Sequence, residues 1–217
     1  MPGSFSQAGE DAVLYFLFKD KKINKITYLD IGTNIPDTDN NTYLFYFHGS
    51  RGVCVEADRT LIPAIKKLRS EDKVLNVGVS ISELQEGDFY IFNSKVLNTF
   101  DKEEAQKRVA SGKYRITEVY KVPLLNINCI IKDNFIKFPD LLSIDIEGLD
   151  LDVLKTLDYE QFPIPVICVE TCKYSETHIR PKDHFIAEFL STMGYEIYAD
   201  TYINTIFINK KWFYKIS

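Results

Sequence analysis

The sequence predicts an α/β fold: a three-layer sandwich in which helices cover a mostly parallel sheet. Three observations predict it. Strand-like runs alternate with segments of helical period along the chain, the pattern of repeated βαβ units. The runs at 26–31, 141–146 and 166–169 are almost continuously apolar, as strands buried on both faces are. Acidic residues stand at or near the ends of these runs, where open α/β sheets hold their ligands.

Each element follows from local chemistry. After Ser6, which can serve as an N-cap, residues 7–18 place Val13, Phe16 and Leu17 at helical spacing. Glu10 and Asp11 lie near the positive end of that helix dipole, so a first helix packed on the sheet is expected within an N-terminal segment, 1–25. Residues 26–31 read as a buried strand, 41–48 as helical, and 49–52 as a turn into the strand 53–56. Thr60 is the expected cap of a short helix through Leu68, followed by a third strand over 74–79. Residues 87–92 suit an added strand. The stretch 101–112 is so charged that a solvated helix or a mobile flap is expected. Extended chain over 119–125 leads to a short helix over 127–134, then to the strand 141–146 carrying Asp145. Leu151, Leu154 and Leu157 mark a crossover helix, and strand 166–169 ends at Glu170. A helix around Phe185, Ile186, Phe189 and Leu190 stops at Gly194, and 195–199 with 205–208 close the sheet as a hairpin-like pair.

Length and composition narrow the function. A chain of 217 residues with 45% hydrophobic content fits one domain with a continuous core. A net charge of −5 and a pI near 5.3 argue against a sequence-independent nucleic-acid binder, which needs excess Lys and Arg to displace counterions. No apolar run approaches the roughly 18 residues of a membrane span, and the initial Met-Pro-Gly-Ser lacks a signal-peptide core, so a cytoplasmic protein is expected. Cys54, Cys129, Cys168 and Cys172 form no Cys-x-x-Cys pair, fall mostly in apolar segments, and are expected as buried thiols. His48, His178 and His184 are too dispersed for a ligand set, and no metal is assigned to them.

The acids and glycine at the first two strand ends outline a nucleoside-cofactor pocket. Gly32 lets backbone approach a ligand, and Glu56 follows it at close to the roughly 20-residue offset at which an acid accepts ribose hydroxyls. Asn34 and Asp37 replace the later glycines of a pyrophosphate-binding turn, so an acidic rim for a cationic adenosyl ligand fits better than a diphosphate cradle. Asp30 is then a contact for an amino group, direct or through water, or else an N-cap or turn acceptor. Ala57 and Asp58 border the adenine or simply form the strand-to-helix turn.

Four segments taken in order resemble a known family. Ser6-Gln7-Ala8-Gly9-Glu10-Asp11, Leu29-Asp30-Ile31-Gly32-Thr33-Asn34, Asn41-Thr42 with Gly49 to Glu56, and Ile144-Asp145-Ile146-Glu147-Gly148 look like the ordered motifs of FkbM-type S-adenosylmethionine-dependent methyltransferases. The resemblance runs over roughly residues 6–208. It implies a class I methyltransferase (Rossmann-like) fold, a seven-stranded sheet whose last strand is antiparallel. It also implies S-adenosyl-L-methionine as donor and methylation of a hydroxyl on a saccharide or related natural product. By this resemblance Asp30, Gly32 and Asn34 correspond to the methionine-binding turn and Glu56 to the ribose acceptor, with Val79 and Ser80 on the adenine side. Many relatives place an aromatic residue before Gly52, where this chain has Arg51.

Methyl transfer is an in-line displacement that needs an aligned, nucleophilic acceptor. Asp145 is the first choice as base or as ligand of a possible divalent metal. Glu147 is an acceptor hydrogen-bond partner, a second ligand, or a cap of the next helix, and Glu170 supports them or pairs with Lys173 or Arg180. His178, in the loop 171–181 with Tyr174 and Arg180, is an alternative base or a surface residue. Gln7, Glu10 and Asp11 are secondary candidates at the cofactor. The 13 Tyr and 15 Phe read first as core, and Trp212 as part of an edge strand or docked tail. Two other readings share these features: an NAD-dependent oxidoreductase, disfavoured by the missing phosphate fingerprint, and a noncatalytic module of a glycan-assembly complex.

Overall fold

The structure is a computed structural model that describes residues 3–94, 97–146, 148–172 and 182–215. Its main sheet has seven strands in the order β3-β2-β1-β7-β8-β10-β9. These are β1 (Thr27–Ile31), β2 (Arg51–Val55), β3 (Lys73–Leu75), β7 (Leu141–Ile144), β8 (Val166–Glu170), β9 (Tyr195–Asp200) and β10 (Asn204–Asn209). The neighbours from β3 to β8 pair in parallel, and β10 runs antiparallel to both β8 and β9. This is the class I methyltransferase topology expected from the sequence, with the hairpin-like pair closing the sheet.

The pleat sorts side chains onto two faces, since successive strand residues point to opposite sides. Leu29, Ile31, Val53, Val55, Leu142, Ile144, Ile167 and Val169 share one core with helices α5 (Ile127–Asn134), α6 (Asp150–Thr156) and α7 (His184–Thr192). Tyr28, Leu141, Val166, Cys168, Ile206 and Ile208 share the other with α1 (Glu10–Asp20) and α2 (Tyr43–Phe47). Trp212, in the terminal helix α8 (Lys210–Phe213), packs on this second face 6.0 Å from the Phe18 ring, so the tail is docked.

Several local expectations are corrected. The strand expected over 74–79 is two strands: β3, and β4 (Gly78–Ser80), which belongs to a separate three-stranded sheet with β6 (Ile116–Asn126) and β5 (Glu86–Phe92). The break falls at Asn76, whose amide donates to the carbonyls of Glu56 and Ala57 and turns the chain. Thr60 caps nothing: helix α3 (Ile62–Leu68) begins after Leu61, and the Thr60 amide instead donates to Asp58. The charged stretch, by contrast, folds as the expected solvated helix, α4 (Lys102–Ala110), capped by Asp101 and mostly exposed, with Ala105 and Arg108 buried. Gly9 rather than Ser6 precedes α1, although the Ser6 hydroxyl still accepts from the Asp11 amide. Three cysteines are buried as expected, and Cys129 is exposed. Among the described residues, no helix is long and apolar enough to cross a membrane.

Candidate active site

Strand register brings the site together. Ile31 of β1 is level with Val55 of β2 and Ile144 of β7, and Ile144 is level with Val169 of β8. The next residues, Gly32, Glu56, Asp145 and Glu170, therefore stand in a row across the carboxyl edge of the sheet. Amides of the first three continue the ladder one step further, Gly32 to Val55, Glu56 to Leu75 and Asp145 to Ile31. Gly32 has φ +81, and a β-carbon there would collide with the carbonyl oxygen of Asp145. Only glycine lets the β1 turn pass that close to β7.

A cavity opens above this edge. Its floor holds Gly32, Asn34, Glu56 and Asp145, its flank Ala57, Asp58 and Leu61, and Gln7 and Asp39 also border it. The opposite wall comes from the β3–β4 segment, Val77 to Val79, and from the three-stranded sheet and its strap, Phe89 and Asn98 to Phe100. Among the described lining residues four are acidic and none is Lys, Arg or His. Of the sequence candidates, Gly32, Asn34, Glu56, Ala57, Val79 and Asp145 line this cavity, as does Gln7.

Glu56 is its best-positioned acid. It is buried, with Oε2 accepting from the Asn34 amide at 2.8 Å and Oε1 from the Asp58 amide at 2.7 Å. Burial raises its pKa above the ordinary carboxylate value, against the lowering effect of those amides. A carboxylate has about four lone-pair positions, so acceptor capacity remains after two amide bonds.

Asp30 has another task. It sits inside β1, one residue before the tip, so the pleat turns it to the α1/α2 face together with Tyr28. There its Oδ2 accepts from Asn40 Nδ2 at 3.0 Å, Thr42 Oγ1 at 2.9 Å and Arg69 at 3.1 Å. Asp30 is absent from the cavity lining, and the turn-acceptor alternative describes it better than the ligand contact. Arg69 is the hub the sequence reading missed. Fully buried just past α3, it also pairs with Asp72 at 2.8 Å and lies over the Tyr28 ring at 5.1 Å. Asp72 in turn accepts from the Tyr28 hydroxyl and the Gly52 amide.

The remaining candidate residues lie in different places. Ser80 is buried away from the cavity, its hydroxyl donating to Ser82 and Leu84 carbonyls, so it joins the turn after β4. Glu10 and Asp11 are buried too. Glu10 accepts from Thr201, Asn204 and Ala8, and Asp11 from Ser4, Ser6 and the Phe5 amide, so both fasten the N-terminal segment. Glu170 lines a second, neighbouring cavity with Thr171, Cys172 and α4 residues, and Leu149 borders both cavities. Glu147, Lys173, Tyr174, His178 and Arg180 lie outside the described residues. Asp150, unflagged in the sequence, is buried and accepts from the Ile146 and Gly148 amides at 3.1 Å each, holding the loop beyond Asp145. Its signal was present: an acid in the first turn of a helix just after a glycine. No group of three or more His, Cys, Asp or Glu among the described residues converges to hold a metal ion.

No curated protein matches the sequence significantly. The fold is similar to that of a methyltransferase FkbM from Methylobacillus flagellatus KT, with 12% identity and TM-score 0.49 over 85% of this chain and 44% of that one. This chain thus spans less than half of that protein. A magnesium protoporphyrin IX methyltransferase from Synechocystis PCC 6803, solved with bound S-adenosylhomocysteine, is similar at 9% identity and TM-score 0.47, over 91% of this chain and 80% of that one. So is a 1,6-didemethyltoxoflavin-N1-methyltransferase from Burkholderia thailandensis, at 10% identity and TM-score 0.43 over 92% and 74%. Residues 30–197 match the model described as the methyltransferase FkbM domain, and because that span takes in most of the chain, the protein belongs to the FkbM methyltransferase family.

Proposed function

We propose that the domain binds S-adenosylmethionine in the acidic cavity and catalyses methylation of an oxygen, the hydroxyl of a saccharide or related natural product. The observation that carries donor binding is the lining: its described residues include Asp39, Glu56, Asp58 and Asp145 and no Lys, Arg or His. A dinucleotide brings a diphosphate that such a wall repels, whereas a sulfonium with an amino-acid tail carries two positive centres. The oxidoreductase reading therefore gives way to the methyltransferase one.

In this reading Glu56 accepts both ribose hydroxyls, the backbone of Gly32 and Asn34 borders the amino-acid tail, and Ala57 and Val79 flank the adenine. S-adenosylmethionine, when bound, supplies a methyl group on a cationic sulfur. Asp145 then orients the acceptor hydroxyl and takes its proton, while Glu170 faces the acceptor from the neighbouring cavity. Oxygen as the methylated atom, and a sugar as its carrier, rest on the resemblance of the ordered motifs. Among the described residues no ligand set for a divalent ion converges.

The test is titration calorimetry with S-adenosylhomocysteine and with NAD, followed by transfer from labelled S-adenosylmethionine to a panel of glycans and sugar nucleotides with and without a chelator. Selective binding of S-adenosylhomocysteine and labelled O-methyl product are expected. Binding of NAD alone overturns the donor; label on nitrogen or carbon overturns the acceptor atom.

A further inference from the structure

We infer that Asp58 and Asn98 together read the edge of the donor's adenine, which makes the strap after β5 a specificity element of the site; this rests on the donor reading above. Both residues line the donor cavity, Asp58 from the turn after β2 and Asn98 from the strap after β5, and their side chains meet there. Asp58 is 2% exposed, and its Oδ2 accepts from Asn98 Nδ2 at 3.2 Å while its Oδ1 accepts from the Thr60 amide at 2.8 Å. The carboxylate keeps acceptor capacity beyond those two bonds, and the Asn98 amide keeps a second N–H.

Asn98 is held rather than loosely presented. Its Oδ1 accepts from the Phe92 amide at 2.9 Å, and the next residue, Thr99, exchanges both backbone hydrogen bonds with Tyr90. The Phe100 ring lies tilted against Phe89, centroids 4.6 Å apart, and sits where a β-carbon on Gly78 would be, so the strap sits tight on β4. A fixed acceptor beside a fixed donor, at the side of the cavity reached past Ala57, matches the amino group and adjacent ring nitrogen of adenine. A 6-oxo base reverses both partners, setting oxygen against carboxylate and N–H against N–H.

The experiment is calorimetry on the full chain with S-adenosylhomocysteine and its 6-oxo counterpart, S-inosylhomocysteine, for wild type, Asp58→Asn and Asn98→Ala, with melting curves to confirm folding. Wild type is expected to prefer the amino base by about 10- to 100-fold or more, the range for hydrogen bonds to charged groups and reversed polar contacts. Both variants are expected to narrow that ratio to a few-fold, Asp58→Asn also by gaining affinity for the oxo base. An unchanged ratio in the folded variants, or equal loss of both ligands, overturns the inference, since a strap that only closes the wall would weaken both alike. Should Asp58→Asn not fold, the ratio in Asn98→Ala decides. Wild type binding both ligands equally sinks this inference alone, whereas wild type binding neither sinks the donor reading beneath it.

Discussion

The backbone amide of Asn34 donates to one oxygen of Glu56 and the amide of Asp58 to the other, so one buried carboxylate ties the turn after β1 to the turn after β2. Asn34 itself has φ +51, a left-handed conformation uncommon for a side-chain-bearing residue. The bond to Glu56 helps hold that conformation. The carboxylate proposed to accept the ribose is thus fixed before any ligand arrives, and reorganisation on binding is expected to be small.

Removing this acid has two expected effects. Glu56→Ala weakens S-adenosylhomocysteine binding by at least about 2 kcal/mol, roughly 30-fold in Kd, because two hydroxyls lose a charged acceptor. The pH dependence has opposite signs for ligand and fold. Burial raises the folded pKa above the ordinary value of 4.5, so the stability that Glu56 contributes is present below that value and is lost as pH rises through the raised one. Donor affinity instead rises over the same window as the carboxylate forms. Calorimetry against pH checks both, and a Kd unaltered by Glu56→Ala would remove the role.

Asp30→Asn separates structure from ligand contact. Arg69 and Asp30 are both buried, and breaking a buried ion pair costs about 3–5 kcal/mol; retention of the Asp72 partner places this case near the lower end. Denaturant titration is expected to show that loss, while the folded variant binds S-adenosylhomocysteine within a few-fold of wild type. A tenfold weaker ligand with unchanged stability would return Asp30 to the donor site.

Glu10→Gln tests the seam between the N-terminal segment and the β9–β10 turn. Burial alone would raise the Glu10 pKa, but hydrogen bonds from Thr201, Asn204 and Ala8 outweigh it and hold it lower than ordinary. A depressed carboxylate contributes stability that is present above the unfolded value and lost as pH falls through the folded one. The variant should be about 1–3 kcal/mol less stable at neutral pH, the cost of a buried group left without its partner. That gap should close on acidification below the ordinary value of 4.5. A gap independent of pH would assign the effect to packing.

What was legible in the sequence, and what was not, follows from range. Gly32 and Glu56 were readable because strand tips are marked locally, by an apolar run ending in a turn. Asp30 lies inside the run that reads as a strand over 26–31 and folds as β1, and in a period-two element one residue exchanges the ligand edge for the opposite core. Arg69, just past the helix expected through Leu68, has no such mark, since nothing local announces that Asp30, Thr42 and Asp72 converge on it. The far wall of the cavity was unreadable for the same reason. Phe89, Asn98 and Phe100 reach the cavity only because β4, from the end of the single strand expected over 74–79, pairs with β6 in a second sheet.

Asp145 lines the cavity proposed for the donor one strand from Glu170, and Leu149, four residues on, borders that cavity and the neighbouring one alike. In-line displacement needs the acceptor to approach along the line through the methyl group, so an acceptor seated in the second cavity meets the donor near Asp145. Asp145→Asn preserves shape and removes the proton acceptor. Labelled-methyl transfer is expected to slow by about 10²–10⁴-fold, the contribution of a positioned general base, while calorimetry gives a donor Kd within about threefold of wild type. Equal losses in rate and donor affinity would make Asp145 a wall of the donor site only. Unchanged turnover would move the proton to Glu170, and Glu170→Gln would then carry the rate loss.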